Sequence, residues 1–181
     1  MVQLLDELAA DHTNMSRLLD LLEEQLAVFD RGDTPDYALI AAIVEYAQAY
    51  PDRYHHPKED AIVEVMRQNA PQAAEDLDSL AGEHEQLNEL TRRFAEVTER
   101  VLQDQELPRD LLHRTAREFI DAYRRHIDWE DSTVFPAARQ ALSEADWQAV
   151  EARLSRAADP LFGSTEEERF KALRRELLGE G

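Results

Sequence analysis

The chain has 181 residues, which allows one substantial hydrophobic core, and its five glycines with abundant Ala, Leu, Glu and Arg predict an all-α protein. Its formal net charge of −19, from 39 acidic and 20 basic residues, disfavours nucleic acid and anionic membrane surfaces as partners. The lack of cysteine excludes disulfides, thiolate ligands and cysteine nucleophiles, so any metal site must use nitrogen and oxygen ligands.

The first helix is predicted over roughly residues 2–31. Apolar side chains recur along it every three or four residues, as in a helix packed in a bundle, and His12 lies on the same stripe. Gly32 is the predicted stop, and Thr34 with Pro35 is the predicted start of the next helix. The first residues lack the basic and apolar regions of a leader peptide, and no stretch reaches the length of a membrane span, so we expect a cytoplasmic protein.

The next two segments continue the helical pattern. Residues 40–66 predict a helix that is kinked at Pro51 and Pro57, because proline lacks the backbone donor that a helix needs. Residues 77–101 repeat the apolar stripe of the first helix, and His84 occupies a core position on it. A second histidine is therefore expected inside the protein.

The fourth segment starts after Pro108 and carries both His126 and Glu130 on its apolar stripe. Short connections between four long helical segments favour an antiparallel up-down-up-down four-helix bundle, which we assign to residues 1–140. In such a bundle, buried polar side chains from facing helices can meet at a common centre.

Residues 141–181 are predicted to form a C-terminal helical extension that packs on the bundle. Ser143 is the predicted N-cap of a helix that reaches about Ala158. Asp159-Pro160 ends this helix, and a last helix is predicted from Ser164.

Two segments carry the motif His-x-x-x-Glu, as His55 with Glu59 and as His126 with Glu130. A spacing of four residues puts both side chains on one face of a helix, where they can reach the same metal ion. A single motif of this kind is weak, because 39 of the 181 residues are acidic.

The stronger signal is an internal repeat. His12 and His84 lie 72 positions apart, and the two His-x-x-x-Glu motifs lie 71 positions apart. The neighbouring residues repeat as well: Asp11-His12 matches Glu83-His84, and Glu59-Asp60 matches Glu130-Asp131. Two helical hairpins folded together would place four histidines and two carboxylates around a pseudo-twofold axis. The sequence therefore predicts a metal site made of His12, His55, Glu59, His84, His126 and Glu130.

A purely structural role could explain any one of these six residues alone, but it does not explain all six together. A lone histidine on an apolar stripe is usually a hydrogen-bonded core residue, and only the repeat argues otherwise. A buried, unpaired Glu130 would cost several kcal/mol, so it needs a partner or a metal ion. Arg124 and Arg125 turn away from the Glu130 face of the helix, which favours the metal.

Other polar and aromatic residues are given structural roles. His56 is expected to be exposed, because one helix is not expected to point two adjacent histidines at one centre. The remaining residues of this group are His113 as an ordinary histidine, Tyr50, Tyr54 and Tyr123 as core residues, and Trp129 and Trp147 as contacts between bundle and extension.

The motifs DH, HHPKED, EH and HIDWEDSTVFP, in this order and spacing, resemble the hemerythrin HHE cation-binding domains over about residues 1–140. The tail from DWQAV to DPLFG is similar to extensions behind bacterial members. The resemblance implies a four-helix bundle with two iron ions per chain, joined by an oxo or hydroxo bridge. Members of the family bind dioxygen, sense iron or oxygen, or act on nitric oxide or peroxide.

By position, the resemblance implies that His12 and His55 bind one metal, that His84 and His126 bind the other, and that Glu59 and Glu130 bridge them. Oxygen-carrying members usually have a second histidine one turn from the third-helix ligand, where this chain has Leu80 and Asn88. Their last carboxylate is usually an aspartate five residues after the histidine, whereas here it is a glutamate after four. These departures imply two equal half-sites, each with one open position.

We therefore expect a non-haem di-iron protein that binds or senses O2, NO or iron. A peroxide- or NO-consuming oxidoreductase with the same site is the alternative, and a metal-free or zinc-loaded interaction module is a third reading. Manganese or zinc would also suit imidazole and carboxylate ligands. The expected partner is a small ligand such as O2, NO or peroxide, and neither nucleic acid nor a membrane is expected.

Overall fold

The computed structural model of the chain describes residues 2–154, together with Phe170, Leu173 and Arg175. The described residues form helices and no strand, so the predicted all-α class is confirmed. None of the described helices has the length and apolar character needed to cross a bilayer. The helices are α1 (Val2–Asp30), α2 (Tyr37–Ala49), α3 (His56–Asn69), α4 (Pro71–Ala74), α5 (Leu80–Leu102), α6 (Arg109–Trp129), α7 (Phe135–Ala141) and α8 (Glu144–Glu151). Two π-helical turns, Pro51–His55 and Glu130–Val134, and one 3-10 turn, Glu75–Leu77, lie between them.

The first helix ends where the sequence predicts, and the second begins slightly later than predicted. Gly32 has a φ of 83°, in the left-handed region that glycine adopts at little cost, and it terminates α1. Asp36, not Thr34, is the N-cap of α2, because its carboxylate accepts a hydrogen bond from the backbone N–H of Leu39 at 2.9 Å.

The predicted kink of the second segment is a π-helical turn. Pro51 has no N–H to donate, and the N–H of His56 bonds to the Pro51 carbonyl five residues back. A second π-helical turn follows α6, where the N–H of Phe135 bonds to the carbonyl of Glu130. One turn ends at His55 and the other begins at Glu130, and both residues are predicted to bind metal. This position is consistent with a functional site, because π turns are frequent there.

The C-terminal segment begins as predicted, but its first helix is shorter. Ser143 caps α8 through a reciprocal capping box. The helix ends at Glu151 instead of near Ala158. The predicted break at Asp159-Pro160 and the predicted helix from Ser164 lie outside the described residues.

Two apolar clusters form the interior. The Phe94 cluster joins α1, α2, α5 and α6, and its members include Met15, Leu22, Ile43, Phe94, Phe119 and Phe170. The Ile62 cluster joins the start of α1 to α3, α7 and α8, and its members include Leu8, Ile62, Leu80, Val134 and Trp147. Trp147 therefore packs α8 on the rest of the protein, as predicted.

The predicted metal-binding residues lie between these two clusters. In α1, Leu8 belongs to the Ile62 cluster, Met15 belongs to the Phe94 cluster, and His12 lies about one turn from each. His84 is flanked in the same way along α5. A polar layer is thus closed on both sides by apolar side chains, which keep bulk water away from it.

Candidate metal centre

All six residues predicted for the metal site are buried together. They are His12, His55, Glu59, His84, His126 and Glu130, with exposures between 0% and 7%. Burial of two carboxylates is unfavourable unless positive charge lies beside them, in the form of protonated histidines or a metal ion.

The Nε2 atoms of four histidines face the two glutamate carboxylates. The nitrogen–oxygen distances are 3.0 Å for His55–Glu59, 3.2 Å for His12–Glu130 and His126–Glu130, 3.4 Å for His12–Glu59 and His84–Glu130, and 3.5 Å for His84–Glu59. Each glutamate therefore contacts histidines from both repeats.

His56 is also part of this centre, so its predicted exposure is wrong. It is 3% exposed, its ring stacks on that of His84 with centroids 4.2 Å apart, and it lies edge-on to His126 at 5.7 Å. The prediction assumed that adjacent histidines would have to reach a single point. His55 and His56 instead belong to two different groups, both of which include Glu59.

The seven side chains form two groups, each of which could hold one cation. The two-histidine half consists of His12, His55, Glu59 and Glu130, and the three-histidine half consists of His56, Glu59, His84 and His126. Within each half the ligand atoms lie within 4.8 Å of one another. Ligands on opposite sides of a transition-metal ion are roughly 4 Å apart, so little contraction is needed. The halves differ in histidine number, whereas the repeat predicts equal ones.

Four more carboxylates orient the histidines from outside. Asp131 accepts a hydrogen bond from Nδ1 of His12 at 2.8 Å, Asp11 from His55 at 3.1 Å, Asp60 from His84 at 3.1 Å and Glu83 from His126 at 3.3 Å. A proton held on Nδ1 leaves Nε2 free to bind a metal. The sequence repeat contains all four carboxylates, but it does not reveal which histidine each one contacts.

The two pairs formed inside the repeats, Asp11 with His55 and Glu83 with His126, differ in their surroundings. The Asp11 side chain is 14% exposed and accepts a second hydrogen bond, at 2.8 Å, from the hydroxyl of the buried Tyr50. The Glu83 side chain is 37% exposed and lies in a surface groove. Tyr50 thus closes one pair, while the other is open to solvent.

Burial and neighbouring charges act in opposite directions on these groups. Burial lowers the pKa of a histidine, but the surrounding carboxylates raise the pKa of His12 and of His84 to about 11 and that of His55 to about 9. Despite its burial, Glu59 has a pKa well below the usual range, because of the charge of His55 and the close approach of the His12 ring. Burial and the charge of His84 lower the pKa of His56. Without metal, the centre holds protons that a cation would displace.

The chemistry of the donors fits a metal ion. Among the described residues, both oxygens of Glu59, Oε2 of Glu130 and Nε2 of His126 are buried without a hydrogen bond. Buried polar atoms without partners are costly, and a bound cation would satisfy them. Imidazole and carboxylate donors without sulfur suit iron, manganese or zinc.

Residues predicted to have ordinary structural roles lie apart from the centre. His113 contacts Asp30 at 3.1 Å and belongs to neither half. Arg124 pairs with Glu23 at 2.8 Å, so the prediction that it turns away from Glu130 is confirmed.

The arrangement defines a helical protein with a buried histidine and carboxylate centre that is suited to metal cations. A family model described as the hemerythrin HHE cation-binding domain matches residues 3–138. The chain belongs to this family. Comparisons with curated proteins and with solved structures give no match.

Proposed function

We propose that the chain is a non-haem di-iron protein in which each half of the centre holds one iron ion. His12 and His55 bind one ion, His56, His84 and His126 bind the other, and Glu59 and Glu130 bridge the two. The observation that carries the proposal is the convergence of five imidazoles on two buried carboxylates, of whose four oxygens both of Glu59 and Oε2 of Glu130 make no hydrogen bond among the described residues.

Iron is favoured over manganese and zinc by membership of the family, since the ligand types alone admit all three metals. When bound, iron supplies the redox chemistry that O2, NO or peroxide require. The four outer carboxylates hold the histidine rings in register for the metals, a role whose loss typically costs about 10- to 100-fold in metal affinity.

The inequality of the halves supports a site for a small ligand. The two-histidine half offers one nitrogen donor fewer than the other, so we expect an open coordination position there and not on both metals. The Ile62 and Phe94 clusters on either side exclude bulk water from this position. A small, weakly polar molecule such as O2 or NO suits this environment.

Binding or sensing of such a ligand is favoured over turnover of peroxide or NO. The four carboxylates next to the centre already accept hydrogen bonds from histidines, so they serve to orient these rings and are poorly placed to shuttle protons. The oxidoreductase remains the second candidate, because the same open position would admit peroxide.

Metal analysis of protein purified in the cold, combined with its visible spectrum, tests the proposal. We expect about two iron ions per chain and the charge-transfer bands of a bridged ferric pair. Less than about one iron per chain, without such bands, would refute the di-iron assignment. A stable adduct of the reduced protein with O2 or NO supports binding, whereas rapid consumption of added peroxide supports the enzyme.

The proposal includes the arrangement of the helices around the centre. We propose that α1, α2 with α3, α5, and α6 with α7 are the four legs of an antiparallel up-down-up-down bundle, and that the chain from α8 onward is the extension. This topology is supported by the packing of α1 against α2 and α6, and of α5 against the same two helices.

A further inference from the structure

A surface groove between α5 and α6 leads to the three-histidine half of the centre. Its volume is about 620 Å³, and Glu83, Gln86, Arg125, His126 and Trp129 are among the residues that line it. His126 is only 3% exposed, and its ring forms part of the inner wall of the groove. The partly exposed Glu83 carboxylate bonds to this ring. Solvent in the groove is therefore one side chain away from the centre.

The outer end of the groove offers oxygen donors. A neighbouring depression along α5 shares Gly82, Gln86 and Leu90 with the groove and adds Glu85 and Asn88 to its walls. Carboxylate and amide oxygens on a chain of net charge −19 attract cations and raise their local concentration. The path from the surface to His126 is thus suited to a cation.

The equivalent place in the other repeat is closed. Asp11 corresponds to Glu83, but it is largely buried and is held by the hydroxyl of Tyr50 at 2.8 Å. Tyr50 in turn packs in the Phe94 cluster. The repeat would predict two similar approaches, and the one at Glu83 coincides with a groove.

We propose that the groove between α5 and α6 is the route by which divalent cations reach the centre, with Glu83 as the last contact before His126. The proposal rests on the proposed function, because it requires that the centre binds metal. A cation would meet the acidic outer end first, then the Glu83 carboxylate, and then the three-histidine half. The positive charge of Arg125, which lines the groove, slows this passage.

Stopped-flow mixing of the metal-free full-length chain with Co2+ measures the rate of uptake through the visible absorption of bound Co2+. Gly82→Trp places a large side chain at the groove and should slow uptake on the order of tenfold. Gly82→Ala is the matched control, because a Cβ at this position meets no heavy atom within 4 Å. It should leave the rate unchanged.

Arg125→Glu tests the sign of the charge that passes through the groove. The substitution replaces a positive charge of the wall with a negative one and should speed Co2+ uptake by about tenfold at low salt, with little effect at high salt. A route for anions would give the opposite sign. This surface substitution also keeps the test decisive if Gly82→Trp does not fold.

All variants should bind the same final amount of Co2+, since none replaces a proposed ligand. Unchanged uptake by a folded Gly82→Trp variant, or slower uptake by Arg125→Glu, overturns the route and leaves the proposed function intact. Failure of the unaltered chain to bind Co2+ at all overturns the route together with the proposed function.

Discussion

The two-histidine half and the three-histidine half of the centre arise from the same repeated pattern. They differ because some equivalent positions of the two repeats hold different residues. His56 corresponds to Ile127, which packs in the Phe94 cluster, and Tyr50 corresponds to the exposed Asp121. The pairs of histidine and outer carboxylate occur in both halves. The repeat therefore provides a metal-binding frame, and single unrepeated residues make its two positions unequal.

The largest effect should come from a residue that both halves share. Glu59→Ala removes the carboxylate that belongs to both halves, so metal content should fall from about two ions per chain to less than one. Metal analysis after gel filtration measures it, and Glu130→Ala should behave alike. Glu64→Ala, an exposed position on the same helix, is the control. Unchanged metal content in Glu59→Ala would contradict the bridging role.

His56→Ile should remove most of the difference between the halves. The substitution places at this position the residue found at its repeat partner, Ile127, and deprives the three-histidine half of one donor. We expect one of about two metal ions to bind more weakly in a competitive metal titration, while the helical content stays the same. His113→Gln, outside the centre, should retain both ions. An unchanged affinity for both ions in His56→Ile would show that His56 is not a ligand.

The stability of the metal-free protein should decrease above about pH 6.5. His12, His84 and His55 have raised pKa values of about 11, 11 and 9, so the stabilisation from their protonation is complete below the unfolded value of 6.5 and is lost as pH rises through these values. On the acid side, stability should fall as Glu59 and His56, whose pKa values are lowered, become protonated in the unfolded chain.

Urea unfolding at about pH 6.5 and about pH 9 checks the alkaline side. The metal-loaded protein is the control, since the metal replaces the Nε2 proton of its ligand histidines and leaves them neutral, so its stability should not fall over this range. The lowered pKa of His56 contributes to the loss of stability below pH 6.5. His56→Ile should therefore reduce this loss. A metal-free protein that is equally stable at both pH values would contradict the protonated centre.

The smallest effect is expected from the hydrogen bond that closes the two-histidine half. Tyr50→Phe removes one donor to Asp11 and should lower the free energy of unfolding by about 1 kcal/mol, with a few-fold weaker binding of metal. Denaturant unfolding and competitive metal titration measure the two effects. Tyr54→Phe, at a neighbouring half-buried ring, should change neither. Equal effects of the two substitutions would show that the hydroxyl of Tyr50 does not stabilise the two-histidine half.

Much of the centre could be predicted because the sequence repeats. A spacing of 71 or 72 residues identified the six buried side chains, although each histidine alone resembled an ordinary core residue. The stop at Gly32 and the cap at Ser143 could be predicted because they depend on the local chain. The start of α2 was harder to predict from the sequence, because it depends on one side-chain hydrogen bond at Asp36.

His56 was missed because the equivalent position of the other repeat holds Ile127 instead of a histidine, and because the direction of the His56 ring depends on the backbone around it. The prediction treated residues 40–66 as a kinked α-helix and required a single centre. The π-helical turn that ends at His55, and the placement of two adjacent histidines in two different groups, depend on how this segment packs against the others. The contacts of Asp60 and Asp131 with histidines of the opposite repeat likewise require the tertiary structure.

The Mössbauer spectrum of protein loaded with 57Fe tests the central claim most directly, because it reports both the number of iron environments and their coupling. We predict about two iron ions per chain in two distinct environments, one for each half of the centre, and a coupled pair in the oxidised state. Two identical environments would contradict the inequality of the halves. A single uncoupled iron per chain would contradict the dinuclear centre itself.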